Sequence, residues 1–82
     1  MTDRTAPELI RAIGEALGGR NWQPELAEIL EVNRRTIRRW LNAEDEPRAG
    51  VWTELLALMQ ERQSELTDLI RAVEQRTRST SK

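Results

Sequence analysis

The chain contains no cysteine and no histidine. That excludes thiol nucleophiles, disulfides, zinc sites of the usual kind and the side chain best suited to general-base work at neutral pH. Tyrosine and phenylalanine are absent too, so apolar burial rests on Leu, Ile, Val, Ala and three tryptophans. The longest unbroken apolar run starts at Leu55 and ends far short of the roughly 20 residues a membrane span needs. No basic start leads into an apolar stretch, so nothing reads as a secretory signal. Lysine is nearly missing: of the 13 basic residues only Lys82, at the very end, is not arginine. What remains is an 82-residue chain with 33% charged and 38% apolar residues, the balance of one small helical domain. The expectation is a soluble, cytoplasmic protein.

The net charge of −1 conceals a segregated pattern. Between Gln23 and Val32 the charges are Glu25, Glu28 and Glu31, all acidic; between Asn33 and Asn42 they are Arg34, Arg35, Arg38 and Arg39, all basic. From Gly50 to Thr77 acids lead again. Blocks of one sign inform where a net charge cannot.

The periodicity predicts an all-α fold, with three short helices followed by a long one. Thr5 and Glu8 have the spacing of a capping box, and Pro7 is tolerated in a first turn. Leu9, Ile10, Ile13 and Leu17 follow at helical spacing until Gly18-Gly19 ends the segment. A second helix begins near Gln23, with Leu26, Ala27, Ile29 and Leu30 apolar, and a third spans about Arg34 to Asn42 behind an Asn33 N-cap. Glu44-Asp45-Glu46 reads as loop. In the last helix Trp52, Leu55, Leu56, Met59, Leu66, Leu69, Ile70 and Val73 keep one stripe from about Gly50 to Arg76. The stripe thins at Arg62 and Gln63, which leaves open a kink or break near Ser64. The domain assignment is 1–62 for the main body, 63–78 for a helical extension and 79–82 for a frayed tail, with fraying expected from Thr77.

Two short helices joined by about three residues, the second carrying arginine on its outer side, form the pattern of a helix-turn-helix. At 100° per residue Ile37, Trp40 and Leu41 cluster inward, while Arg35 and Arg39 lie opposite and Arg38 and Asn42 flank them. Arg34–Arg38 and Arg35–Arg39 are like-charge pairs at i, i+4, each costing roughly 0.2–0.5 kcal/mol in an isolated helix. A face kept only for solubility would mix its signs. Arginine is the commonest side chain for bidentate contact to guanine O6 and N7, and its planar fork also grips phosphate. Trp40 and Trp52 read as core; Trp22 is either a packed residue at the start of the second helix or one beside a DNA backbone.

Gln23-Pro-Glu-Leu-Ala27, Leu30-Glu-Val-Asn33, Thr36-Ile37 and Arg39-Trp40-Leu41 together resemble the Cro/repressor-type (lambda-repressor-like, XRE) helix-turn-helix. The resemblance is good over Gln23 to Asn42 and looser over Ala6 to Met59. It implies that Asn33, Arg34, Arg35 and Arg39 read base edges. It also implies that Gln23, Thr36, Arg38, Asn42 and Arg48 hold the DNA backbone. The family's turn usually opens with glycine, where this chain has Glu31. A left-handed residue there costs roughly 1–2 kcal/mol, so the turn is either strained or differently built.

A 26-residue last helix would reach roughly 39 Å, longer than a small domain is wide. The first three helices are expected to cover Trp52, Leu55, Leu56 and Met59. Leu66, Leu69, Ile70 and Val73 are then left for a homodimer interface, unless a fifth helix folds back on its own core. The functional expectation is a dimeric, sequence-specific repressor of double-stranded DNA that needs no cofactor or metal. The alternative is a protein-interaction module, such as an antitoxin or adaptor, whose C-terminal stripe binds an unidentified protein. Catalysis is not expected: carboxylate pairs such as Glu61–Glu65 read as solvated surface, and the chain is too small to enclose an active site beside its core.

Overall fold

The computed structural model describes residues 4–80. Among these there is no strand; four α-helices and one 3-10 turn account for the architecture. They are α1 (Ala6–Gly18), the 3-10 turn Gly19–Asn21, α2 (Trp22–Leu30), α3 (Arg34–Leu41) and α4 (Ala49–Thr80).

Helix α1 starts with the expected capping box. The Glu8 N–H donates to Thr5 Oγ1 at 3.3 Å and the Thr5 N–H donates to Glu8 Oε1 at 3.0 Å, satisfying two donors that a helix start leaves open. Ile10 and Ile13 face inward, and Gly19, at φ 67°, ends the helix in the left-handed region that glycine enters cheaply. The 3-10 turn then feeds directly into α2, one residue earlier than the sequence suggested, so Trp22 is helical and buried.

One core joins all four helices: Ile10 and Ile13 from α1, Trp22, Leu26, Ala27 and Leu30 from α2, Ile37 and Trp40 from α3, and Leu55 from α4. No polar or charged residue is buried among those described. The tightest approach is Trp22 against Gly14, where a β-carbon would overlap the indole ring. Trp22 is therefore a core residue, and the alternative beside a DNA backbone does not hold. Trp52 is half-buried against the same core, beside Val51, Leu58 and Met59. Leu56 was expected under the first three helices; it is half-exposed, because its position on the α4 wheel lies beyond the face the body covers.

Helix α4 is continuous through Ser64 and runs to Thr80. Neither the break near Ser64 nor a fifth helix is present, and Thr77 to Thr80 are helical rather than frayed; Ser81 and Lys82 lie outside the described residues. The physical reason is compositional. Sharp kinks arise chiefly at proline, glycine or an inserted group, and no proline or glycine follows Gly50. Arg62 and Gln63, where the stripe thins, are good helix formers. At 32 residues the helix is about 48 Å long, against a largest molecular extent of 57 Å. Arg62 ties the helix to the body: its Nη1 donates to the Leu17 carbonyl oxygen at 3.4 Å. Every described residue from Gln60 to Ser79 is exposed.

Candidate nucleic-acid interface

Helix α3 is set by its two ends and one buried face. Asn33 is its N-cap: the Arg35 N–H donates to Asn33 Oδ1 at 3.0 Å. Ile37 and Trp40 anchor the helix in the core, with Leu41 half-buried beside them. This anchoring turns Arg34, Arg35, Arg38 and Arg39 outward, and all four are exposed. The outer face of α3 thus carries four positive charges and no acid along two turns.

The connection from α2 resolves the question raised by Glu31. The residue sits at φ 58° and ψ 43°, left-handed, at the end of α2. The Val32 N–H donates to the Ala27 carbonyl at 2.9 Å and the Glu31 N–H to the Glu28 carbonyl at 3.2 Å. This is a Schellman-type ending, built with glutamate where glycine would be unstrained. A second one closes α3. Ala43 lies at φ 60°, the Glu44 N–H donates to the Arg39 carbonyl at 2.9 Å and the Ala43 N–H to the Trp40 carbonyl at 3.2 Å. No sequence signal marked Ala43, since alanine carries none of the turn preferences of Gly or Asn.

The α3 ending has an electrostatic consequence. It folds the chain back so that Glu44 Oε1 lies 4.0 Å from Arg39 Nε, both side chains more than half exposed. Arg39 is therefore loosely held by an acid that follows the helix. Asn33 commits its Oδ1 to the cap, so its amide N–H groups are what it can offer a base edge.

Of the other predicted backbone contacts, Gln23 is half-buried in the first turn of α2, and Thr36 is half-buried in the first turn of α3. Asn42 ends α3, exposed, with its N–H donating to the Arg38 carbonyl at 3.0 Å. Arg48 is exposed just ahead of α4, where its carbonyl accepts from the Val51 N–H at 2.9 Å. Arg34, Arg35, Arg38, Arg39 and Asn42 thus share one short helix and its end. Gln23 and Arg48 sit at the starts of two other helices.

Leu66, Leu69, Ile70 and Val73 lie on the uncovered half of α4, each between 50% and 61% exposed. A cleft of about 210 Å³ opens where α4 leaves the body, floored by Leu17, Ile29 and Leu58 and edged by Glu25, Glu61, Glu65 and Arg62, the last two ion-paired at 3.8 Å. No described helix is long and apolar enough to cross a membrane. Comparison with protein-family models, curated proteins and solved structures finds no match to this chain.

Proposed function

We propose that the protein is a sequence-specific regulator of double-stranded DNA, of Cro/repressor-type construction, that represses as a homodimer. The observation that carries this reading is the unmixed arginine face of α3, exposed on a helix whose opposite face is locked in the core. Holding four arginines together costs folding energy through like-charge repulsion. A polyanion repays that cost by supplying phosphate and guanine acceptors to the same side chains. Arg35 and Arg39, on the outermost line of the helix, are assigned to base edges with Asn33 and Arg34. Gln23, Thr36, Arg38, Asn42 and Arg48 are assigned to the backbone.

A homodimer follows from the α4 stripe. Covering a half-exposed Leu, Ile or Val is worth about 1 kcal/mol at 25 cal/mol per Å². Four such residues on each of two copies contribute toward offsetting the cost of association, and the pairing is strengthened when both recognition helices engage one DNA. A second reading takes the same stripe as the seat of a different protein, and the arginine face as secondary.

Selection of duplex DNA from a random library at physiological salt tests the proposal. The expected result is an inverted repeat containing G·C pairs, with half-site centres about one helical turn (about 34 Å) apart. Recovery of no preferred sequence, with only weak salt-sensitive binding, overturns it in favour of the second reading.

A further inference from the structure

We infer that two copies of this chain pair antiparallel through the projecting half of α4, with the last turns of each copy lying toward the acidic cleft of the other. This rests on the homodimer reading above and adds the orientation of the partner.

The first observation is that the stripe has no cover among the described residues. Trp52, Leu55 and Met59 lie on the same wheel line as Leu66, Leu69, Ile70 and Val73, so α4 has a single apolar face. Its first half packs on the body; its second half stands exposed beyond Arg62. A second copy offers a stripe of the same length and chemistry.

The second observation is charge. Along the projecting segment, residues 61–68 hold Glu61, Glu65 and Asp68 against Arg62, a net −2. Residues 71–78 hold Arg71, Arg76 and Arg78 against Glu74, a net +2. Parallel pairing sets each block against its own sign, whereas antiparallel pairing sets each against the opposite sign. Glu61, Asp68, Arg71 and Arg78 lie more than 100° from the Leu66 line and act only through the net charge of their block; the charges that select orientation are those flanking the seam.

The third observation is the flank on which the charges lie. Glu65 and Arg76 are on the same side of the stripe, about 100° and 80° from its Leu66 line. In an antiparallel two-fold pair, equal flanks face each other, so Glu65 meets Arg76 of the second copy, and the pair occurs twice. In a parallel pair this flank faces the side carrying Gln63 and Ile70, and Glu65 keeps only its own chain's Arg62, whose Nε lies 3.8 Å from Glu65 Oε1 with both side chains largely exposed. The same flank borders the cleft whose charged edge is Glu25, Glu61 and Glu65 against Arg62, a net −2. The basic final turns of the second copy therefore end beside an acidic rim with an apolar floor. In this register Arg62 of one copy and Arg62 of the other are about 26 Å apart along the axis, with one DNA-reading body at each end.

The test exploits the absence of cysteine from the natural chain. Full-length Gln63→Cys and Thr77→Cys are prepared separately, and their association is followed by sedimentation and mild oxidation. Expected are dimers in every case, no disulfide-linked species from either variant alone, and efficient linkage when the two are mixed. Equal positions in an antiparallel pair stand about 21 Å apart, far beyond disulfide reach, while positions 63 and 77 face each other. Linkage of each variant to itself overturns the orientation and leaves the dimer standing. Monomers throughout overturn both, while DNA selection still decides the arginine face. As an independent measure, Glu65→Arg and Arg76→Glu should each weaken dimerisation about tenfold, and the double reversal in one chain should restore it. Failure of the double variant to recover, although helical and folded, also overturns the orientation.

Discussion

At the scale of single residues, two backbone positions set the local geometry that presents the arginines. Glu31 and Ala43 stand left-handed without a glycine's freedom, at φ 58° and 60°. Each carries a strain of about 1–2 kcal/mol. Glu31→Gly and Ala43→Gly should each raise unfolding stability by about 1 kcal/mol, measured by urea denaturation followed through tryptophan fluorescence. Glu31→Ala is the control, because it removes the charge and keeps the strain; it should give no comparable gain. Gly14 is the opposite case. Alanine in mid-helix normally gains about 1 kcal/mol over glycine. Here a β-carbon would overlap the Trp22 ring, which is itself buried and cannot swing aside. Overpacking of this kind costs typically 1–3 kcal/mol. The steric term wins, and Gly14→Ala should destabilise by about 1–2 kcal/mol in the same assay. Gly50→Ala, with open space around the added methyl, should stabilise slightly.

At the scale of elements, α3 is where sequence discrimination should reside. If Arg35 and Arg39 read bases, alanine at either costs about 1–3 kcal/mol of DNA affinity and relaxes the preference at one base pair. Alanine at Arg38 or Arg48 should weaken all sequences alike and reduce the slope of log K against log salt by about 0.9. Uniform losses at Arg35 and Arg39 would reassign them to phosphate. The ion pair with Glu44 gives a prediction of opposite sign. Arg39 must leave an exposed partner worth about 0.2–1 kcal/mol before it reaches a base. Glu44→Gln should therefore tighten DNA binding roughly two- to fivefold, read from the same titrations. The elements most legible in the sequence were those with side-chain signals at their ends, the Thr5–Glu8 box and the Asn33 cap, because their chemistry is local. The inward faces of α1 and α3 were legible from spacing alone. Ala43, the exposure of Leu56 and the Trp22–Gly14 approach were not, since each depends on which neighbour arrives in three dimensions. The continuity of α4 is hidden in the sequence because its apolar stripe thins at Arg62 and Gln63 while its helix propensity does not. Arg62 and Gln63 interrupt burial while favouring helix, and only the first of those properties depends on the body ending there.

At the scale of the whole molecule, the division between body and projecting helix decides how stability and association separate. All nine core residues lie between Ile10 and Leu55, and Arg62 ties α4 to the body through the Leu17 carbonyl. Nothing from Gln63 to Ser79 is buried. Truncation after Arg62 should therefore leave the body folded, and at concentrations where the full chain is monomeric its urea midpoint should change by no more than an exposed substitution would cause, about 0.5 kcal/mol. The contribution of the helix to itself is small, because isolated helices of this length are marginal in water. Association should behave differently. If the stripe pairs two copies, the truncated chain sediments as a monomer at every concentration and loses the avidity of two linked half-sites, which amounts to 10²–10⁴-fold in favourable geometries. Its affinity for a single half-site should stay close to that of the full chain. Global unfolding of the truncated chain would mean that the projecting turns support the body despite their exposure. A fully retained affinity for the inverted repeat would place the dimer contact on the body, and the stripe would then belong to another partner.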